Sequence, residues 1–324
     1  MAHTETVGNT VCEQPRLVID LDGLNTMDGW LREAKIHDVV LVQNGEYLWE
    51  WYDQGTDRIA AVFSCTKSIL SALIGMAIDD GLLSLEQTVS EFFDDVPEHK
   101  SDITIQHLLT MTAGMEWQNF DKPYFQMRKT DHWLHYILDQ PQLHKPGNIF
   151  AYNSGCSHLL SGILTKVTGG SALHMAQERL FEPLGMEGGI TWSHSAGISE
   201  GGTGLHITAR DLARFGQLYL QEGNWEGKQL VSREWVKEST RIHHKGLTNY
   251  KPSIYGCYGW HWWCSSQEHN GKAECYFALG YGGQYLFVIP SCRLVAVIRK
   301  QVDGRKNAMR CKELLFEHIL KIQS

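Results

Sequence analysis

Strand-like sequence stands at both ends of this chain and helical sequence fills the middle, so any sheet must be assembled from segments far apart along the polypeptide. Residues 38 to 52, "DVVLVQNGEYLWEWY", are two β-rich runs around Asn44-Gly45, the strongest short hairpin signal. β-Character returns only after about residue 255, in "CYGWHWWC", "CYFALGYGGQYLFVIP" and "RLVAVIRKQ". Between them Ile69, Leu70, Leu73, Ile74, Ala77 and Ile78 recur at helical spacing, with Gly81 as a C-cap. Further helical patterns follow in "TIQHLLTM", "TDHWLHYIL", "SHLLSGILTKV", "ALHMAQERLF" and "TARDLARFGQLYL", the last with Thr208 as N-cap, and a final helix is expected over roughly 306–321. The expected fold is α+β: an antiparallel sheet flanked by helices, built from residues 1–80 and 251–324, with a mostly helical insert over 81–250.

Composition narrows the partners. At 324 residues and 43% hydrophobic content the chain has ample material for a core. A net charge of -8, with no run of five like charges, leaves no electrostatic footprint for nucleic acid or an anionic membrane. A small-molecule partner is expected, and the oligomeric state is left open. The first twenty residues carry neither a basic n-region nor an apolar h-region, so a cytoplasmic location is expected. The eight cysteines (Cys12, Cys65, Cys156, Cys257, Cys264, Cys275, Cys292 and Cys311) lack C-x-x-C spacing and are expected reduced. No metal and no cofactor is expected: His132 and His135, or His243 and His244, lack a third ligand at usual spacing.

One short stretch asks for chemistry. In "FSCTKSILSAL" Ser64 and Lys67 stand one helical turn apart where a strand gives way to a helix. The unpaired N–H groups and positive end of that helix would favour an alkoxide on Ser64. The apolar face would desolvate Lys67 and lower its pKa. Alone, S-x-x-K proves little, because a polar helix start looks the same. A rival, "GISEG" around Ser199, fits G-x-S-x-G but has neither the strand before nor the helix after that a nucleophile elbow needs, so a surface loop is the better account. Cys65 points about 100° away from its neighbours on a helix and is expected to be a buried small residue. Trp260, Trp262 and Trp263 alternate like a strand and are expected in sheet packing, with an aromatic wall for an acyl group as the other reading. Two later stretches strengthen Ser64: Tyr152 precedes a helix that Asn153 or Ser154 could cap, and Gly280, Gly282 and Gly283 interrupt a strand-like run, a sign of close approach to the backbone.

In order, "SCTK", "YNS" and "YGGQ" resemble the three motifs of the serine β-lactamase and penicillin-binding-protein-like superfamily, in its class C-like branch. "ITIQHLLTMTAGMEW" and "GGTGLHITARDLARFGQLYLQEG" resemble two of that branch's connecting segments, so the likeness runs over roughly residues 38–320. It implies an acyl-enzyme on Ser64, with Lys67 and Tyr152 moving its proton and the formal base left open. It implies an oxyanion hole from the backbone N–H groups of Ser64 and Gln284, and substrate contacts from Ser154, Tyr281, Gly282 and Gly283.

Departures from the pattern carry substrate information. Ser154 stands where the superfamily usually has the asparagine of Y-x-N, and Tyr281-Gly282-Gly283 stands where it has K-T-G or H-T-G. A substrate carboxylate beside the scissile bond therefore loses a charged partner, of a kind worth about 1.5–3 kcal/mol. The resemblance thus points to a serine hydrolase of small esters or linear amides, in the manner of family VIII carboxylesterases and 6-aminohexanoate-dimer hydrolase. The alternatives are a β-lactamase or D-amino-acid peptidase, an acyltransferase, or a catalytically silent binding protein.

Overall fold

The computed structural model describes residues 17–118, 122–186, 188–304 and 306–322; Cys12 lies outside them. Asn44 and Gly45 both take positive φ, 55° and 89°, which turns β1 (Ile36–Gln43) directly into β2 (Glu46–Tyr52). The other strands of this sheet come from the far end of the chain: β3 (Cys257–Tyr258), β4 (Trp263–Ser265), β5 (Cys275–Gly280), β6 (Gln284–Ile289) and β7 (Leu294–Lys300). Their order is β3-β4-β5-β6-β7-β1-β2, antiparallel throughout, so the two chain ends meet where β7 pairs with β1, Val295 opposite Val42 and Val297 opposite Val40. β6 and β7 are buried on both faces and consequently read as continuous apolar runs rather than alternating ones.

Helices cover both faces. Helix α1 (Thr66–Asp79) ends as expected, with Gly81 at φ 73° and its N–H on Ile78 O. Helix α2 (Ser154–Thr168) is capped by Asn153, whose side chain accepts from the N–H groups of Gly155 and Cys156, and ends at left-handed Gly169. Helix α3 (Ala209–Leu220) is capped by Thr208 and packs on β7, β6 and β1. A Cβ on Gly216 would come within 2.6 Å of Leu286 Cδ1 and Val295 Cγ1, so glycine lets α3 approach the sheet. On the opposite face Phe316 meets Phe287 edge-on at 6.1 Å. The C-terminal segment is not one helix: Met309–Glu313 is α-helical, Leu314–Ile319 has π geometry, and Leu320–Ile322 is a strand paired with Leu17–Ile19. That pairing with the N-terminal segment captures residues that helical periodicity had claimed.

Arg299 ties the sheet to the segment that leads into the site. It is 1% exposed and bonds Asp38 Oδ2 from Nε at 2.9 Å, Ile207 O at 2.8 Å and Arg58 O at 2.9 Å. It also contacts Asp57, whose carboxylate accepts from the N–H groups of Ala209 and Arg210 at the start of α3. Arg299→Met strands the buried Asp38 carboxylate and is expected to cost about 3–5 kcal/mol, read from urea melts.

Candidate active site

Ser64 lies in a 3-10 turn, Phe63–Cys65, that runs straight into α1. The turn is held from two sides. Before it, Ala60 and Ala61 pair with Ile207 and His206, and Val62 N–H donates to Leu205 O. Beside it, Cys65 Sγ donates to Gln284 O at 3.3 Å, and Gly280 lies so close that a Cβ there would stand 2.2 Å from Val62 O. Phe63 is driven to φ 46°, a left-handed backbone that a bulky residue takes only at a cost of about 1–3 kcal/mol. The junction stores strain where the sequence places Ser64.

Lys67, one turn along α1 and 1% exposed, donates from Nζ to Ser64 Oγ at 3.0 Å, Ser154 Oγ at 3.1 Å and Gly202 O at 2.5 Å. Three neutral oxygens replace water around it, and burial pushes the ammonium down to about 7 despite the Glu200 carboxylate, which pulls the other way. The Tyr152 hydroxyl hydrogen-bonds Ser64, and burial pushes its phenol well above its ordinary value, the Ser64 bond acting in the opposite sense. Its ring stacks on Trp263 at 5.5 Å and 23° and stands 5.0 Å from Lys67 Nζ. Beneath Lys67, His261 is fully buried between Leu109 O, 3.0 Å from Nδ1, and Ser157 Oγ, 2.8 Å from Nε2; burial and then Lys67 push it down to about 3. It is a neutral pin between α2 and the segment before β4.

Ser64 opens onto two spaces. A narrow cleft is walled by Tyr152, Tyr255, Trp263, Gly280, Tyr281 and Gly282. A cavity of about 850 Å³, of the size that holds small molecules, is lined by Ser64, Ser154 and Tyr281 on one side. Tyr124, Phe125, Arg128, Lys129, Glu200 and His206 also line it. Ser64, Lys67, Tyr152, Ser154, Tyr281 and Gly282 are therefore brought together. Gly283 and Gln284 are not among the residues lining either space. Gly283 O accepts from Cys311 Sγ, while Gln284 opens β6 opposite Gly280 and turns its side-chain amide to Lys300 O at 2.8 Å. The hairpin thus consumes the two residues nearest its far side.

Other expectations change in detail. Ser199 is not on a surface loop: it is 1% exposed in a short strand, Ile198–Ser199, its Oγ accepts from Leu173 N–H, and its carbonyl accepts from Ser161. Cys65 is buried, its thiol pushed up to about 12 by desolvation. The tryptophan-rich stretch divides between both readings. His261 at φ 62° breaks it, Trp262 packs on Phe215 and Tyr219 in the core, and Trp263 walls the cleft. Sequence reasoning missed Arg128, Tyr124 and Glu200. Glu200, 2% exposed, accepts from Arg128 Nη1 on both oxygens, at 2.7 and 2.8 Å, and from the Tyr124 hydroxyl at 3.0 Å. The available signal was an acidic residue inside "GISEGG", next to the glycines that let this loop lie on α2. A Cβ on Gly201 would strike Ser157 O at 2.0 Å. Among the described residues no group of three or more His, Cys, Asp or Glu could hold a metal ion, and no helix is long and apolar enough to cross a membrane.

The chain is 25% identical over 311 residues to the 6-aminohexanoate-dimer hydrolase of Paenarthrobacter ureafaciens, covering 86% of this chain and 77% of that one. It is 24% identical over 160 residues to the lovastatin esterase of Penicillium rubens, covering 41% and 39%. The fold superposes on a penicillin-binding protein from Bacillus halodurans with a TM-score of 0.70 at 17% identity, over 90% of this chain and 100% of that one. The family model described as Beta-lactamase matches residues 38–317, and the chain belongs to that family.

Proposed function

We propose that the protein is a serine hydrolase that cleaves a small ester or linear amide through an acyl-enzyme on Ser64. The observation that carries this reading is the contact of Ser64 Oγ with Lys67 Nζ at 3.0 Å, the ammonium being held near 7 at the edge of a small-molecule cavity. Near neutral pH a large share of Lys67 is the free amine, while Tyr152 keeps its proton. Lys67 is accordingly the base: it takes the Ser64 proton as Oγ attacks the carbonyl carbon. Tyr152, already bonded to Ser64, supplies a proton to the departing alkoxide or amine and is reprotonated from Lys67. A water entering where the leaving group stood then reverses the sequence and frees the acid.

The oxyanion is held by the backbone N–H of Ser64 and, in place of the Gln284 expected from the sequence, that of Tyr281, the first residue past β5 and a wall of both spaces. Loss of one such donor typically costs 10²–10³ in rate. Ser154 anchors Lys67 and borders the cavity, and Gly282 narrows the cleft. Tyr281 offers no cation beside Ser64, so linear substrates are favoured over β-lactams, whose carboxylate lies next to the scissile amide. The kinship to a 6-aminohexanoate-dimer hydrolase and a lovastatin esterase supports the same choice.

Treatment with a fluorophosphonate, followed by peptide mass spectrometry, tests the nucleophile: the adduct is expected on Ser64. An adduct on Ser199 or Cys65, or none, overturns the assignment. Turnover of a nitrophenyl ester beside a chromogenic cephalosporin tests the substrate class, and fast cephalosporin opening with poor ester cleavage reverses it.

A further inference from the structure

The large cavity carries a cation that the chemistry at Ser64 does not use. Arg128 lies 5.4 Å from the ring of Trp133 and 5.8 Å from that of Tyr124, which hold its guanidinium in place. All of its described side-chain hydrogen bonds leave from one nitrogen, Nη1: two to the Glu200 oxygens and one to the Tyr124 hydroxyl at 3.2 Å. Neutralising the buried Glu200 accounts for that nitrogen. It does not account for Nε and Nη2, which bond no described residue although the side chain is 41% exposed on the cavity wall. Nor does it account for Lys129, the next residue, which is exposed and lines the same cavity.

The charges give the sign of the ligand. Arg128 and Glu200 cancel, and Lys129 leaves the wall with a surplus positive charge. A guanidinium whose two remaining nitrogens lie side by side matches a carboxylate, which accepts two parallel N–H bonds. Because aromatic rings and Glu200 already fix the group, little ordering remains to be done when the ligand arrives. The position relative to Ser64 is also fixed. Glu200 is two residues from Gly202, whose carbonyl receives Lys67 Nζ, so the cation is tied through Glu200 to the loop that holds Lys67 without bonding Ser64 or Lys67.

We propose that Arg128 and Lys129 form a carboxylate subsite, and that the substrate is a linear ester or amide carrying a carboxylate separated from the scissile carbonyl by a short apolar chain. This rests on the acyl-enzyme reading for the word "substrate", but not for binding. Phe63, Phe125 and Tyr281 line the route for that chain. The carboxylate of such a substrate differs from that of a β-lactam in lying away from the bond to be cut, which is why a cation here and none at Tyr281 belong together.

Binding is measured first, free of turnover. Ser64→Ala protein is titrated calorimetrically with hexanoate and with hexanamide, equal in length and different in charge. Hexanoate is expected to bind at least about tenfold more tightly, the gain of a charge-assisted bidentate contact. Arg128→Lys, which still offers Glu200 a cation, and Lys129→Gln, at an exposed position, are each expected to shrink that difference severalfold. Hexanoate binding no more tightly than hexanamide, or a difference untouched by both variants, overturns the proposal. Turnover is measured second, on 4-nitrophenyl hexanoate and the mono-4-nitrophenyl ester of adipic acid. The ratio of kcat/KM is expected to favour the anionic ester and to fall in the same variants; a ratio of one or below in the unaltered enzyme counts against the subsite. Selective hexanoate binding with no ester turnover and no Ser64 adduct would sink the hydrolase reading and leave the carboxylate subsite standing.

Discussion

Replacing Lys67 with methionine slows acylation of Ser64 by a fluorophosphonate or a nitrophenyl ester at least about 10²-fold, and at the same time makes the protein harder to unfold at neutral pH. The first effect follows from removing the amine 3.0 Å from Ser64 Oγ. The second follows from linkage. The folded-state pKa of Lys67, about 7, lies below its ordinary 10.5, so between these values the unfolded chain binds more protons than the folded one. Stability of the unaltered protein therefore rises with pH across that window, and the penalty of the buried ammonium is fully present below about 7. Methionine fills the same channel without a charge. Its melting temperature exceeds that of the unaltered protein most at pH 6 and converges on it above pH 10. In the unaltered enzyme the acylation rate climbs as pH rises through about 7, because the neutral amine is the working form. Tyr152→Phe loses acylation to a similar degree but leaves this stability slope in place. A Lys67→Met protein that acylates normally removes Lys67 from the mechanism; one that loses activity without the altered slope means the ammonium is better solvated than its burial indicates.

Gly280→Ala is expected to cost about 3 kcal/mol or more and to take activity with it. The new Cβ would stand 2.2 Å from Val62 O and 2.9 Å from Gln284 Cβ. The first of these is backbone, at the entry to the turn that presents Ser64, and it cannot swing aside. Either β5 withdraws or the turn shifts, and both open the gap between Ser64 and Tyr281. Gly29→Ala is the control: that glycine sits in the helix Asp28–Glu33 with nothing within 4 Å of a new Cβ, so stability is unchanged or slightly improved. Urea melts and the labelling rate of Ser64 separate the two outcomes. A Gly280→Ala enzyme of normal stability and rate would mean that strand and turn are not in the contact described.

What the sequence disclosed, and what it withheld, divides along the range of the forces involved. The Asn44-Gly45 turn, the Asn153 and Thr208 caps and the end of α1 at Gly81 are decided within a few residues, and periodicity and turn chemistry find them. The pairing of Ser64 with Lys67 is equally local, one turn of α1. Tyr152 required the ordered motifs, because 84 residues of chain intervene between Lys67 and Tyr152 and only tertiary packing brings the phenol to Ser64. Arg128 stands in no motif and Glu200 only in the discounted G-x-S-x-G match, so their meeting, which depends on how the loop around Gly201 seats on α2, was not legible. The hairpin register was equally hidden: counting past the double glycine selects Gln284, whereas the strands pair that residue with Gly280 and it is Tyr281 that lines the cavity, which is why the proposed oxyanion donor moves. His261 broke the tryptophan-rich run for a comparable reason, a left-handed backbone that periodicity does not encode.

The meeting of β7 with β1 sets a timetable for synthesis. Val39 to Val42 of β1 are paired on one edge by β2 within moments of leaving the ribosome, but their other edge waits for Val295 to Ile298. About 250 residues separate the partners, and at roughly 5–20 residues per second that is on the order of ten seconds to a minute. Throughout that interval an apolar strand edge stands open on the nascent chain, the kind of surface that recruits other strands. Slowing elongation after residue 52 is therefore expected to raise aggregation of the nascent chain rather than its yield, read from the soluble fraction of a translation reaction.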